Sequence, residues 1–293
     1  MNVLITGTSS GFGLLTTKTL AKKGHTVFAT MRGSTGKNAV AASEIKAFAE
    51  KENAKVHVLD LDVTDQASVD HAVKLVLDKA GHLDVVVNNA GLGGAGHTEA
   101  YTAEQAANLF DVNVIGIQRV NRAVLPSMRA RGSGLLVHVS SGLGRFVIPC
   151  LGLYGATKYA VESLAETYRY ELALTGVDSV IVQPGAFGTD FAKNSLFPAD
   201  GERIAGYGEA AKLTEQLFAM MGQMVSGPNA PDPQLVADAI SKLIDTPTGQ
   251  RPLRTVVAPG QSQGVEACNA ASSQVQAGMF EMMGFSKLLQ PKS

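Results

Sequence analysis

The stretch Val3-Leu4-Ile5-Thr6-Gly7-Thr8-Ser9-Ser10-Gly11-Phe12-Gly13 decides how the rest of the chain is read. Its first residues are apolar without alternation, the pattern of a short strand covered on both faces. Glycines at 7, 11 and 13 then make a tight turn, and helical periodicity follows over 12–23. A strand that turns through glycines into a helix is the opening of a β-α-β unit. The rhythm continues outward from there. Val/Ile/Leu-rich runs at 26–29, 56–59, 85–87, 135–139, 180–182 and 255–257 predict six further strands. Helical periodicity at 40–52, 66–80, 103–110, 112–130, 155–174 and 233–245 fills the intervals. Right-handed crossovers between such elements predict an α/β fold: one domain over 1–259, built on a doubly wound, seven-stranded parallel sheet.

Two stretches leave this rhythm. Residues 186–231 insert a segment with Phe187, Phe191, Phe197, Tyr207, Phe218 and Met220, read as a helical lid over a substrate site. Residues 260–293 form a Gln/Ser/Ala-rich tail containing Met279-Phe280-Glu281-Met282-Met283, with no role assigned.

Composition narrows the function. The 293 residues carry 25 basic and 26 acidic side chains, a net charge of −1. Global charge therefore does not steer this chain to nucleic acid, although a local anion site remains compatible. Cys150 and Cys268 are the two cysteines. They are too few for a disulfide scaffold, and no Cys/His cluster has metal-ligand spacing, so no metal is expected. A reducing, cytoplasmic location follows from that cysteine usage. No apolar run approaches the roughly 18–20 residues that span a bilayer. No signal peptide is expected, because the first apolar run leads straight into the glycine turn.

The glycine turn lets backbone N–H groups of Gly7, Ser9, Ser10, Gly11, Phe12 and Gly13 approach a pyrophosphate, with the positive end of a helix behind them. An acid about 20 residues further on would hold a ribose 2′-hydroxyl. None is there: the first acid in the chain is Glu44, and the second strand ends in Thr30-Met31-Arg32, with Lys37 soon after. A guanidinium pairs with a phosphate, and no carboxylate is expected there to repel one. The expected cofactor is thus NADP(H) in preference to NAD(H), with Arg32 and Ser9 at the 2′-phosphate. Asp62-Val63 follows the third strand. Asp62 either accepts from an adenine amino group or caps the helix beginning near 66, and both readings stand. Asn88-Asn89-Ala90-Gly91 ends the fourth strand, at the carboxyl edge where open α/β sheets bind ligands.

Tyr154-Gly155-Ala156-Thr157-Lys158 puts a phenol and an amine one helical turn apart. A phenol titrates near 10, too high to exchange protons readily at neutral pH, and an adjacent ammonium favours its phenolate. Ser141 closes the fifth strand thirteen residues before Tyr154. It is preferred to Ser140, which a regular strand turns to the opposite face.

Taken together, these motifs resemble the single-domain, NAD(P)-dependent branch of the short-chain dehydrogenase/reductase family, over residues 2 to about 190 and more loosely to about 258. The resemblance implies a Rossmann-type fold and a tetrad of Asn113, Ser141, Tyr154 and Lys158. By it, Tyr154 exchanges the proton, Lys158 lowers its pKa and binds the nicotinamide ribose, and Ser141 holds the substrate oxygen. Asn113 keeps its helix locally open and anchors a water. It also implies cofactor contacts at Asn89, Ala90 and Gly91, a turn at Pro184, Gly185 and Thr189 beside the carboxamide, and a homo-oligomer. The implied partner is a small carbonyl or alcohol. Leu92, Leu143, Phe146, Val147, Ile148, Leu151 and Phe187 are expected to wall an apolar pocket, or equally to pack the lid on the core. A protein that merely senses NADP(H) is the alternative function, but it has no need of the Tyr/Lys pair.

Overall fold

The computed structural model describes residues 1–190 and 193–291. Phe191 of the expected lid and the last two residues of the tail fall outside that description. The seven expected strands are present: β1 (Asn2–Thr6), β2 (Thr26–Met31), β3 (Val56–Asp60), β4 (Val85–Asn88), β5 (Gly134–Val139), β6 (Val177–Pro184) and β7 (Arg254–Val257). All pair in parallel, in the order β3-β2-β1-β4-β5-β6-β7. The order reverses between β1 and β4, the switch point of a Rossmann-like sheet. Helices α1 (Gly11–Lys22), α2 (Ala39–Lys51), α3 (Gln66–Ala80), α4 (Ala103–Phe110), α5 (Gly116–Arg131), α6 (Gly152–Glu171) and α9 (Gln234–Asp245) connect the strands.

The sheet is covered on both faces, which explains why its strands lack alternation. Val3, Ile5, Val85, Val87 and Val137 point one way and pack on Leu20 of α1 and Val236, Ile240 and Leu243 of α9. Leu4, Phe28, Val86 and Leu136 point the other way, onto Val69, Val73 and Val76 of α3 and Val120, Val124 and Met128 of α5. The period of two along each strand divides one apolar run between two cores.

The insertion is helical, as expected, whereas the tail is more structured than expected. The insertion holds α7 (Gly201–Ala205) and α8 (Leu213–Met224), and the tail folds as a long helix, α10 (Ser262–Met283). Gly284, at φ 73, ends α10 in the left-handed conformation that favours glycine. Val265 buries the start of α10, and Phe280 meets Tyr170 of α6 with ring centroids 4.6 Å apart. No described helix is long and apolar enough to cross a membrane.

β6 runs five residues beyond its expected apolar core of three. The extension carries Asp178, Ser179 and Gln183, all fully buried. Asp178 is paired with Arg169 and Arg251, and the Ser179 hydroxyl donates to Ala165 O at 2.8 Å. Their polarity is satisfied locally, so the strand does not need apolar residues there.

His138 sits fully buried in β5, 3.4 Å from Asn88 Nδ2, which itself donates to Asn121 Oδ1 at 2.9 Å. Burial lowers its pKa to about 3. The unfolded chain binds this proton near pH 6.5 and the folded one only near 3, so stability falls as pH drops through that window, by about 4–5 kcal/mol. Denaturant unfolding followed from pH 7 to 3 is expected to show this loss. His138→Leu should flatten it, and an equal acid slope in the variant would reject the assignment.

Candidate active site

The site assembles along the carboxyl edge of β1, β4, β5 and β6. Thr6 ends β1 with its hydroxyl accepting from the backbone N–H of Asn89 and Ala90, at 3.1 and 3.0 Å. The Asn89 amide returns the tie, donating to Thr6 O and Gly7 O, both at 2.9 Å. The end of β4 is thereby clamped to the glycine turn. Gly7 has φ +71, and a Cβ there would fall 2.8 Å from Ala90 Cα. Ser10 precedes α1 without a side-chain cap, and no acid occupies the first turn. The helix N-terminus therefore keeps its donors and positive end for an anion, which fits a pyrophosphate. Phe12 meets Phe187 edge-on at 5.5 Å, joining the turn to the loop after β6. There, Gly185 N donates to Val257 O at 2.9 Å, and Thr189 lies across from Gly11.

At the far end, Arg32 is exposed, and neither it nor Lys37 enters an ion pair among the described residues. Asn38 Nδ2 fixes the Arg32 carbonyl at 2.7 Å. One residue here escaped the sequence reading. β3 delivers Asp60 to the same loop, where its carboxylate accepts from Gly33 N at 3.1 Å, Ser34 N at 2.8 Å and the Ser34 hydroxyl at 3.1 Å. Burial pushes Asp60 up, but these donors and Lys37 outweigh it and hold the carboxyl below its usual range. The expectation that no carboxylate stands near the loop holds along the chain but not across the sheet. The Met31–Asp60 pairing would have been its signal.

Asp62 does not cap α3. Its Oδ1 accepts from Thr64 N at 3.0 Å and the Thr64 hydroxyl at 2.7 Å, while Asp65 caps the helix through Ala67 N at 2.9 Å. The cap reading fails because Asp65 stands immediately before the helix. Val63 is buried against Gly116.

The helix from α4 into α5 widens to a π turn over Asp111–Ile115, with Asn113 inside it and 1% exposed. Asn113 Oδ1 accepts from Leu92 N at 2.7 Å, and its Nδ2 donates to Leu92 O at 2.9 Å and Thr157 Oγ1 at 3.0 Å. It thus ties the loop after β4 to α6. Gly91 stands over the pair: a Cβ there would lie 3.5 Å from Asn113 Oδ1 and 3.9 Å from Lys158 Nζ.

Ser141 follows β5, and its hydroxyl accepts from Leu143 N at 3.1 Å. Ser140 stays in the sheet, its N donating to Val182 O at 2.8 Å, with its hydroxyl buried. Tyr154 is 8% and Lys158 7% exposed. Lys158 Nζ donates to Val139 O at 3.0 Å and lies 5.6 Å from the Tyr154 ring centroid. One expectation is reversed. Burial pushes the Tyr154 phenol above its ordinary range, opposed only by the neighbouring Ser141 side chain. The same burial lowers Lys158 to about 8. Both ionic forms are desolvated together, so the amine alone does not make the phenol acidic.

The expected pocket wall divides. Leu143, Ile148 and Leu151 join Ala95, Cys150 and the α8 residues Leu217, Phe218 and Met221 in one cluster. Leu92 and Phe187 belong to the two sheet cores, and Phe146 and Val147 face outward. The 186–231 insertion is latched to the loop after β4: Arg203 pairs with Glu99 at 2.8 Å, Tyr207 donates to Glu99 at 2.9 Å, and Leu196 bridges Gly94. Cys150, φ +63, closes this wall in a left-handed conformation unusual for its type, a feature with no sequence signal. Among the described residues no group of side chains could hold a metal.

The profile of the family described as short chain dehydrogenase matches residues 1–197. The chain belongs to the short-chain dehydrogenase family. It is an oxidoreductase of that family. It is 37% identical over 193 residues to a 3-ketodihydrosphingosine reductase of Bacteroides thetaiotaomicron, spanning 66% of each chain. A short-chain dehydrogenase from Streptomyces avermitilis superposes with a TM-score of 0.77 at 30% identity, over 97% of this chain and 96% of the other. An alcohol dehydrogenase from the archaeon Thermococcus sibiricus, solved with 5-hydroxy-NADP, gives 0.70 at 25% identity, over 87% and 95%.

The clamp between the glycine turn and β4 yields a direct test. A Cβ added at Gly13 would fall 2.2 Å from Gly7 O and 2.5 Å from Asn89 Nδ2. Gly13→Ala is expected to cost about 1–3 kcal/mol and to weaken dinucleotide binding. Gly264→Ala, on an open helical face, should instead stabilise by up to about 1 kcal/mol. Thermal denaturation of both variants checks the contrast.

Proposed function

We propose that this short-chain dehydrogenase is an NADP(H)-dependent carbonyl reductase or alcohol dehydrogenase acting on a mainly apolar substrate. The observation that carries the reading is a buried phenol, Tyr154, standing one helical turn from the buried ammonium of Lys158, with Ser141 acting on the phenol. A nicotinamide dinucleotide bound along this edge would supply or accept the hydride. Ser141 holds the substrate oxygen beside Tyr154. In reduction the phenol donates its proton to that oxygen, and its raised pKa keeps it protonated at neutral pH. In oxidation it accepts the proton, which calls for more alkaline conditions. Lys158 provides positive charge for the phenolate and hydrogen bonds to ribose hydroxyls. Asn113 keeps the loop of Leu92 and α6 in register around them.

For the other end of the cofactor, the uncapped start of α1 takes the pyrophosphate, with Asn89, Ala90 and Gly91 along the crevice and Pro184, Gly185 and Thr189 beside the carboxamide. Arg32 and Ser9 take the 2′-phosphate, and Asp62 and Val63 the adenine. Arg32 and Lys37, cations outside any ion pair among the described residues, support NADP(H). Asp60 lies nearby, but its charge is met by three donors of the loop. The apolar cluster under α8 supports a hydrophobic ketone, aldehyde or secondary alcohol. The unpaired thiols of Cys150 and Cys268 fit a cytoplasmic setting.

Two variants test the reading. With a panel of apolar ketones and aldehydes, followed at the nicotinamide absorbance, Tyr154→Phe should lose about 10²–10⁴-fold in kcat while still binding NADPH. Unchanged turnover removes Tyr154 from the chemistry, and a wild type inactive across the panel favours a cofactor sensor. Arg32→Asp should move the ratio of kcat/KM for NADPH over NADH toward NADH, and an unaltered ratio places the phosphate elsewhere.

A further inference from the structure

Lys158 is a buried cation whose ammonium, among the described residues, has a single hydrogen-bond partner, Val139 O at 3.0 Å. No carboxylate forms an ion pair with it among the described residues. An ammonium taken out of water needs negative charge close by. One turn further along α6 lies Glu162, 2% exposed. Its carboxylate is fixed from two sides. Gln183 Nε2 of β6 donates to Oε1 at 2.9 Å, and Arg254 Nε of β7 donates to Oε2 at 2.8 Å. Gln183 is in turn gripped by Asn269 of α10 through reciprocal amide bonds of 2.7 and 3.3 Å. Gly144 crosses above both residues: a Cβ there would lie 2.7 Å from Glu162 Cγ and 3.1 Å from Lys158 O.

The remaining charged groups around Glu162 are few. Arg254 also reaches Glu166, whose other oxygen accepts from the Tyr170 hydroxyl at 2.6 Å. Glu266 of α10 lines the cleft beside Arg254, and Arg145, from the loop after β5, is directed to Cys268 O at 3.4 Å. Tyr154 is the other titratable group beside Lys158. The cations Lys158 and Arg254 are matched by the buried Glu162 and the half-buried Glu166.

We propose that Glu162 is a positioning residue for Lys158: it is the fixed countercharge, held by Arg254 and by the α10–Gln183 relay, that lets a protonated Lys158 remain buried beside Tyr154. The proposal rests on the catalytic reading of Lys158. It also gives α10 a task at the site, since Asn269 orients the amide that orients the carboxylate. In agreement with it, burial lowers the pKa of Lys158 while Glu162 acts in the opposite sense.

The test is a ¹³C NMR titration of cofactor-free protein labelled at lysine Cε, with the Lys158 signal assigned by its loss in Lys158→Arg. The wild-type midpoint is expected near 8. In Glu162→Gln it should fall by about one pH unit or more, and in Glu162→Asp it should lie between the two. In Arg254→Gln it should move the other way, upward. A merely structural contact would not give opposite signs. The alkaline limb of kcat/KM for ketone reduction should follow the same order. An unmoved midpoint in folded Glu162→Gln, or shifts of one sign in both variants, overturns the proposal. Should Glu162→Gln fail to fold, an unmoved or lowered midpoint in Arg254→Gln does so alone. Full turnover by Lys158→Met would sink the catalytic reading instead, leaving the titration to judge Glu162.

Discussion

The arrangement depends on one buried ammonium. Lys158 lies out of water at the end of β5, anchored to the Val139 carbonyl, and a charge in that position is costly unless its surroundings are fixed. Much of the nearby structure meets that need. Asn113 locks the loop of Leu92 against α6, Gly91 and Gly144 bring backbone close without side chains, and Glu162 sits one turn below, held by β6, β7 and α10. The same desolvation that lowers Lys158 raises Tyr154. The phenol is therefore a well-protonated donor in the protein by itself, and its conversion to phenolate needs further positive charge at the site.

The sheet order makes this convergence possible. Reversal between β1 and β4 opens a crevice at the carboxyl edge, bounded by the glycine turn and the loop after β4. Thr6 and Asn89 stitch those two segments together with four hydrogen bonds. Residues far apart in the chain, from Gly7 to Thr189, then line one edge without long connections. The 186–231 insertion is held on contacts of its own, notably Arg203 and Tyr207 to Glu99. Its inner face is apolar where Leu217 meets Leu151 and Cys150.

Much of this was legible in the sequence, for physical reasons. Strands covered on both faces are uniformly apolar, so β1, β4 and β5 declare themselves, and the glycines, Asn113, Ser141, Tyr154 and Lys158 stand at spacings set by one strand and one helix. What stayed hidden depends on pairing across space. Asp178 and Gln183 look wrong for a strand interior until Arg169, Arg251, Glu162 and Asn269 are seen to satisfy them. Asp60 reaches the Arg32 loop only through the β2–β3 register. The weakly patterned Gln/Ser/Ala composition of 262–283 concealed α10, whose burial rests on Val265, Asn269 and Phe280. The sense of the Tyr154 shift was misjudged because spacing reports the neighbouring amine but not the burial that opposes it.

The measurement that tests the account most directly is a crystal structure of the protein with NADP(H) bound. The pyrophosphate is expected at the start of α1, the dinucleotide crossing the edge between β1 and β4, and its nicotinamide end against Lys158 and Tyr154. A dinucleotide bound elsewhere, or a Tyr154 hydroxyl turned to solvent away from it, would contradict the account.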